Sequence, residues 1–406
     1  MNAAIGLEAL DRALDGGLRR PSSLLLYSEV LAEKRTFAEH FVVTGLRSGE
    51  TCLYLDMYRS PHLARREFAK FGDIPHDRLV VAGLTAPSDG TSDEAFRAGG
   101  VPETREILER VEGLLEERRP RRVIFDSLDL LAEQLPPPAF EDFLRELTGM
   151  TTASGAVVGL LFVEWSYDPG GVPEVLAQSD YLIEFRSTLR DGALVHKLRL
   201  RHGGDEGGTT RWIPFAFREG RGLVLHFPRV LVAGPPGSGK SSFVQALSHT
   251  DEAEDQGVRP AAFDYGHVER PGVEVELLGL PGHTRFAFLV PVLARGTHGL
   301  LLVVDSTKPE ELERAGELRR LVAKDVPTVV VANKRDLKDP MTREAIREAL
   351  DLTNGTPVMD VVALEGKGVA EALEQLIDLM IWGRPLPSDR PLRKPNRGRQ
   401  HGAERE

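Results

Sequence analysis

Two rhythms of apolar residues alternate along the first half of the chain. Short unbroken runs at 23–27, 51–56, 79–82, 122–125 and 156–164 read as strands covered on both faces, which have no polar side to show. Between them, apolar positions recur every three or four residues at 37–46, 61–71, 103–117 and 140–151. That spacing predicts helices, the first two stopped by Ser48-Gly49 and by Gly72. A polar, glycine-containing loop at 87–102 interrupts the pattern, and further strands are expected at 179–185 and 196–201. After residue 229 a strand at 230–233, a helix at 242–247 and strands at 300–304 and 328–331 repeat it. Such alternation predicts an α/β fold, a mainly parallel sheet with helices on both faces.

Length divides this pattern into more than one unit, because 406 residues exceed one ordinary core. The boundary is expected near 226–228, after the glycine-rich 218–222. That gives domains at 1–226 and 227–383, then a Pro- and Arg-rich tail at 384–406 with no apolar period, expected to be disordered. A net charge of −11 argues against a nucleic-acid coat; the basic tail could touch anionic lipid or RNA, with a solvated tail preferred. The start lacks a signal peptide's basic and apolar segments, and no run reaches the roughly twenty apolar residues of a membrane span. A cytoplasmic location is the expectation. The single cysteine, Cys52, lies in an apolar run and reads as a small buried hydrophobe.

The chemistry centres on Gly234-Pro235-Pro236-Gly237-Ser238-Gly239-Lys240-Ser241, between the strand at 230–233 and the helix beginning near Ser242. It satisfies the phosphate-loop pattern G-x-x-x-x-G-K-[ST] in the right context. Glycines let successive backbone N–H groups and a helix N-terminus approach phosphate oxygens. Lys240 would reach the β- and γ-phosphates, and Ser241 would offer a hydroxyl to Mg²⁺.

The first half resembles the RecA/KaiC-like ATPase family. The likeness rests on Gly6-Leu7-Glu8-Ala9-Leu10-Asp11 with Gly16-Gly17, on 24–41, on Arg47-Ser48-Gly49-Glu50, on Val123-Ile124-Phe125-Asp126-Ser127, on Lys197-Leu198-Arg199-Leu200-Arg201 and on Trp212-Ile213-Pro214-Phe215. Laid on that family's phosphate loop, the glycine positions fall on Ser28, Leu31 and Glu33. Lys34 is kept, Arg35 stands at the metal-binding Ser/Thr position, and Thr36 follows. The expected glutamate pair falls on Tyr58 and Arg59, neither a general base, and only Asp126 remains in place. Side chains at glycine positions keep phosphate away, and Glu33 adds repulsion. The reading is a pseudo-ATPase whose Lys34, Thr36 and Asp126 mark a degenerate site. Arg199 and Arg201 match residues that in the family reach a neighbour's nucleotide; with the site lost, an exposed strand face is preferred. The resemblance implies homo-oligomer packing.

The second half resembles a small Ras-like GTPase, near a prokaryotic subset linked to gliding and signalling regulators. Asn333-Lys334-Arg335-Asp336 follows the strand at 328–331 and reproduces the guanine-reading N-K-x-D motif. The Asp336 carboxylate can accept the N1 hydrogen and the exocyclic amine of guanine, a donor pair adenine lacks. Asn333 would brace the loop, and the Lys334 stem would cover the ring. Leu277-Leu278-Gly279-Leu280-Pro281-Gly282-His283 matches the D-x-x-G switch at Gly282 but has Gly279 where the aspartate belongs. The Gly282 N–H would sense the γ-phosphate. His283 stands where the family keeps a water-orienting Gln; it is either that residue or an exposed loop histidine. No Thr stands in the first switch, 258–266; Asp264 there is a metal candidate or an ordinary turn residue. Val362-Ala363-Leu364 replaces the last guanine-loop motif, with the Ala363 N–H directed at the guanine carbonyl. Asp305 reads as structural.

The expectation is therefore two P-loop-type three-layer αβα domains binding GTP/GDP and Mg²⁺. The chain would be a slow GTP-hydrolysing switch coupled to a pseudo-ATPase assembly domain and answering to a regulator or effector protein. Two alternatives stand beside it. One is a non-catalytic guanine-nucleotide-sensing scaffold; the other is a KaiC-like ATPase with residual ATP binding.

Overall fold

The computed structural model describes residues 2–28, 33–84, 103–163, 179–190, 193–202, 209–248, 264–282, 290–322, 325–353 and 355–384. The first half runs α1 (Glu8–Ala13), β1 (Ser22–Ser28), α2 (Lys34–Arg47), β2 (Cys52–Asp56), α3 (Pro61–Glu67), β3 (Leu79–Gly83), α4 (Thr104–Arg118), β4 (Arg122–Asp126), α5 (Asp129–Gln134), α6 (Pro137–Ala153) and β5 (Val157–Val163). Then come β6 (Tyr181–Arg190), β7 (Ala193–His202), β8 (Ile213–Arg218) and the long β9 (Gly222–Ala233). The second half adds α7 (Lys240–Leu247), β10 (Asp264–Arg270), β11 (Val273–Gly279), α8 (Val290–Leu293), β12 (Gly299–Asp305), α9 (Leu312–Leu321), β13 (Thr328–Asn333), α10 (Arg343–Ala349), β14 (Val358–Asp360) and α11 (Val369–Trp382).

The strands expected from unbroken apolar runs are present within a residue or two. The helix expected over 61–71 is shorter: α3 ends at Glu67, and Phe68–Phe71 tightens into a 3₁₀ turn before Gly72. Its φ of 76° suits glycine and ends the element. Cys52 is buried, and burial pushes its thiol up to about 12, which keeps it inert as expected.

Among the described residues, all fourteen strands form one sheet. Six are parallel, in the order β3-β2-β4-β5-β1-β6; β6 to β9 then turn back and forth antiparallel; β9-β12-β13-β14 are parallel again. The β10–β11 hairpin joins through β11, which pairs parallel with β9. The expected boundary at 226/227 therefore falls inside a continuous strand. β9 serves both halves, pairing with β8 through Leu225 and with β12 from Val230.

A bulge reconciles the two halves. Against β11, Phe227 faces Val275 and Val230 faces Leu277, so Pro228 and Arg229 together oppose one residue, Glu276. A proline is tolerated where the ladder is already interrupted. The extra residue also reverses the inward parity. Leu225 and Phe227 before it, and Val230 and Val232 after it, face one shared core that reaches Phe37 of α2 and Leu376 of α11. The other faces pack separately, Leu25 and Phe125 against α4 and α6, and Leu231 and Leu302 against α9.

His40 of α2 tests the join. It is fully buried, and its Nδ1 accepts a hydrogen bond from the Leu223 N–H of β9 at 3.1 Å. Gly222 lies so close that a Cβ there would stand 2.4 Å from Nδ1. Burial holds the imidazole near pKa 4, below its ordinary 6.5. Between those values the unfolded chain binds the extra proton, so this contribution to stability is complete above 6.5 and lost as pH falls toward 4. Asp11, raised by burial to about 6, acts with the opposite sign in the same window. The difference between wild type and His40→Gln, followed by urea denaturation, cancels Asp11. The variant is expected to lose about 1.4 kcal/mol per pH unit of slope across that window; equal slopes would show that His40 is not buried neutral.

Candidate functional site

In the first half, Arg35 at the family's metal-ligand position and Arg59 at one of its glutamate positions converge on a single carboxylate. Arg35, at the start of α2, forks onto Asp126 at the end of β4, with Nε to Oδ2 at 2.6 Å and Nη2 to Oδ1 at 3.1 Å. The Tyr54 hydroxyl donates to Oδ2 at 2.6 Å, and Arg59 reaches it at 3.2 Å while donating to Asp56 at 2.7 Å. Asp126 is fully buried, and its oxygens are occupied by protein donors. Burial disfavours the charge on Arg35, but Asp126 outweighs it and the guanidinium pKa is raised. Lys34 lies 3.7 Å from Asp129, and burial lowers its pKa despite Asp129 and Asp126. The Thr36 hydroxyl donates to Glu33 at 2.6 Å. Leu31 lies outside the described residues. Arg199 donates to Glu184 at 2.6 Å and, like Arg186, stacks 4.7 Å from the Trp212 ring centre, so this strand face satisfies itself.

The second half leaves its site open. A cavity of about 350 Å³ is lined on one side by Gly237, Gly239, Lys240, Ser241 and Ser242, and on the other by Asn333, Lys334, Asp336, Ala363 and Leu364. Val362, from the last guanine-loop segment, and Leu337 complete it; Leu337, an apolar residue just after N-K-x-D, carried no chemical signal. Gly237 and Gly239 have φ of 75° and 97°, conformations that exclude ordinary side chains. Gly234 is needed for closeness: a Cβ there would stand 2.0 Å from the Val303 carbonyl oxygen. Lys240 is buried and rests its ammonium on the Pro235 carbonyl at 2.8 Å. Burial lowers its pKa.

Asn333 ties the two walls together. Its amide donates to the Ser238 carbonyl at 2.9 Å, and its Oδ1 accepts from the Ala363 N–H at 2.9 Å. The N–H expected to meet the guanine carbonyl serves the loop brace here. A Cβ on Gly239 would lie 2.1 Å from the Asn333 amide, so the glycine also makes room for the brace. Lys334 adopts a left-handed backbone, φ 63°, and its ammonium pairs with Asp305 at 2.6 Å. Asp305 is structural as expected, and what it structures is the site. Burial would raise its carboxyl, but Lys334 and Thr307 hold it below the usual range.

At the metal side, the Ser241 hydroxyl donates to Asp264 at 2.7 Å, so the structure brings these two candidates together. Gly282 packs on the phosphate loop: a Cβ there would meet the Pro236 nitrogen at 2.8 Å and the Lys240 ammonium at 2.9 Å. Its carbonyl accepts from Arg314 of α9 at 2.6 Å, a contact between distant segments that spacing could not announce. His283, most of the first switch and the tail beyond residue 384 lie outside the described residues. No cluster of three or more His, Cys, Asp or Glu among the described residues is arranged to hold a metal, and no described helix is long and apolar enough to cross a membrane.

Comparison with known proteins separates the same two halves. Residues 3–201 match the KaiC ATPase family, and residues 223–380 match the ADP-ribosylation factor family. An uncharacterized protein of Methanocaldococcus jannaschii is 29% identical over 117 residues, 29% of this chain and 75% of that protein. Human ADP-ribosylation factor-like protein 4A is 34% identical over 102 residues, 23% of this chain and 51% of that protein, so the chain spans about half of this relative's length. A KaiC-like protein from Pyrococcus horikoshii OT3 is 18% identical, with a TM-score of 0.44 over 55% of this chain and 98% of that one. With a self-paired carboxylate in one half and an open phosphate loop in the other, the chain is a fusion of a KaiC-like ATPase-family domain with an Arf-family GTPase domain.

Proposed function

We propose that the Arf-family domain binds GTP and GDP with Mg²⁺ and turns GTP over slowly, and that the KaiC-like domain is a pseudo-ATPase serving as its assembly platform. The observation that carries the first part is the Asn333 brace, which joins the phosphate loop to the guanine-reading loop across one cavity. Within it Asp336 reads the guanine donor pair, and the Lys334 stem, oriented by Asp305, covers the ring. Lys240 exchanges its Pro235 carbonyl for phosphate oxygens. Ser241 and Asp264 offer the hard oxygen donors that Mg²⁺ accepts in small number, and the ion, when bound, neutralises phosphate charge. Gly282, fixed through Arg314, presents its N–H toward the third phosphate, and His283 orients the attacking water. Slow turnover follows from the missing aspartate at 279 and the missing threonine in the first switch. Those two absences equally favour the second reading, a sensor whose turnover is incidental.

The pseudo-ATPase assignment rests on Asp126, whose oxygens accept from Arg35, Arg59 and Tyr54. A metal would have to displace two guanidinium groups from a buried carboxylate, a substantial cost in a desolvated site. The oligomeric state and the regulator or effector belong to this proposal through family likeness alone.

Nucleotide released by denaturing the purified chain is expected to be guanine nucleotide near one per chain. Lys240→Ala should abolish it and Asp336→Ala should loosen it, with Lys34→Ala leaving it unchanged. Adenine nucleotide surviving the first two changes would overturn both assignments. Asn333→Ala, which strips a buried carbonyl and a buried N–H of their partner, should destabilise the domain by about 1–3 kcal/mol in urea denaturation. It should also weaken binding of fluorescent mant-GDP; unchanged affinity would remove Asn333 as the organising residue. Single-turnover hydrolysis lost in His283→Ala supports the switch, whereas negligible wild-type turnover supports the sensor.

A further inference from the structure

The guanidinium of Arg314 has only a neutral partner. Its Nη2 donates to the Gly282 carbonyl at 2.6 Å, and among the described residues it makes no other hydrogen bond and no ion pair. Glu311, three residues earlier, already pairs with Lys308 at 3.1 Å. Arg314 also stands in the first turn of α9, where the helix dipole disfavours a cation, while Arg319 and Arg320 occupy the last turn, which suits one. Half-buried, it has Nε and Nη1 left to donate.

An arginine that holds a loop carbonyl is common, and Arg319 does so at Leu350, at 3.2 Å. What separates Arg314 is whose carbonyl it holds. Gly282 is wedged onto the phosphate loop, where a Cβ would come within 2.9 Å of the Lys240 ammonium. Lys240 and Arg314 thus flank one residue, their charged groups no more than about 10 Å apart by ordinary bond lengths. They also act on each other: burial lowers the Lys240 pKa, Asp264 raises it, and Arg314 lowers it again. Each cation rests on a carbonyl, Lys240 on that of Pro235 and Arg314 on that of Gly282. A phosphoryl group gripped from both sides by charge-assisted hydrogen bonds spans a comparable distance.

We infer that Arg314 is a second cation for the third phosphate of GTP, supplied from α9 by the domain itself. The inference rests on the guanine-nucleotide reading of the cavity and adds a residue that tells GTP from GDP, which lacks the phosphate this side would hold. Nη2 keeps the Gly282 carbonyl while the remaining donors meet phosphate oxygens. During hydrolysis the water oxygen bonds to the terminal phosphorus as the bond to the bridging oxygen breaks, and GDP leaves with that electron pair. One proton of the water stays on the released phosphate, and the other passes to solvent. Arg314 exchanges no proton; its charge offsets the negative charge spread over the phosphoryl oxygens.

Competition of GDP and of GTPγS against mant-GDP on the full-length protein measures that preference. Arg314→Gln keeps a donor for the Gly282 carbonyl but removes the charge. It should leave GDP affinity within about twofold, which also reports an intact fold, and weaken GTPγS about 10-fold, the loss of one charged hydrogen bond. Single-turnover hydrolysis, where wild type shows it, should fall about 100-fold. Arg314→Lys, which keeps the charge, should recover part of the GTPγS affinity. Wild-type preference in Arg314→Gln would overturn the inference and leave the residue a fastener of the loop. An equal loss for both nucleotides would do the same, because a purely structural role weakens the cavity as a whole. Wild type binding neither nucleotide would instead sink the guanine-site reading from which this one descends.

Discussion

The hydrogen-bond ladder of β9 is the constraint on which the rest of the molecule depends. A strand must be paired along its buried edges, because orphaned backbone groups in the interior are costly. β9 meets this by pairing with β8 in its first part, β12 in its last part and β11 on its other side. Two domains of different families thereby share one sheet and one core, where a flexible linker would have left each to close its own edge. The Pro228–Arg229 bulge allows it, since without the extra residue either Phe227 or Val230 would point away from that core.

Polar contacts reinforce the join around the β10–β11 hairpin. Arg218 of β8 grips the buried Glu274 through Nε and Nη2, at 3.0 and 2.7 Å, and Arg221 reaches the same carboxylate. At the hairpin's turn, Gly272 lies against the backbone at Leu7, where a Cβ would stand 3.0 Å from the Leu7 Cα. On another face, Arg12 pairs with Asp378 of α11. The hairpin that carries Asp264 at one end therefore touches the KaiC-like domain at the other, so the two domains meet through the same element that borders the phosphate loop.

The two phosphate-loop regions show opposite ways of balancing charge. In the first, cationic side chains occupy the positions of a metal ligand and a base, and Asp126 is neutralised from within the protein. In the second, Lys240 rests on a backbone carbonyl, a weak neutral partner that an anion can replace, and Asp336 stands at an open cavity. A buried charge with a fixed counter-charge is settled; one held by a dipole keeps its preference for a ligand.

Much of this was written in local spacing. The apolar runs at 122–125 and 300–304 marked buried strands, and G-x-x-x-x-G-K-S and N-K-x-D marked the site, because such chemistry needs neighbouring residues in order. The substitutions at Glu33, Arg35 and Arg59 were equally visible, and they set the first half apart from its family's site pattern. What depended on distant partners was not legible. Arg35 and Arg59 are separated by many residues from the Asp126 they share, and nothing in spacing says that both reach it. The continuity of β9 was hidden because Pro228 beside a glycine-rich stretch imitates a linker, and only pairing on both edges reveals a strand. The contact of the Ala363 N–H with Asn333 was hidden because that partner comes from another loop. The sequence by itself determined the elements and the chemistry that each short motif could hold. The tertiary structure decided which donor met which acceptor, because hydrogen bonds and ion pairs between remote segments depend on where the sheet brings them, and no local pattern encodes that place.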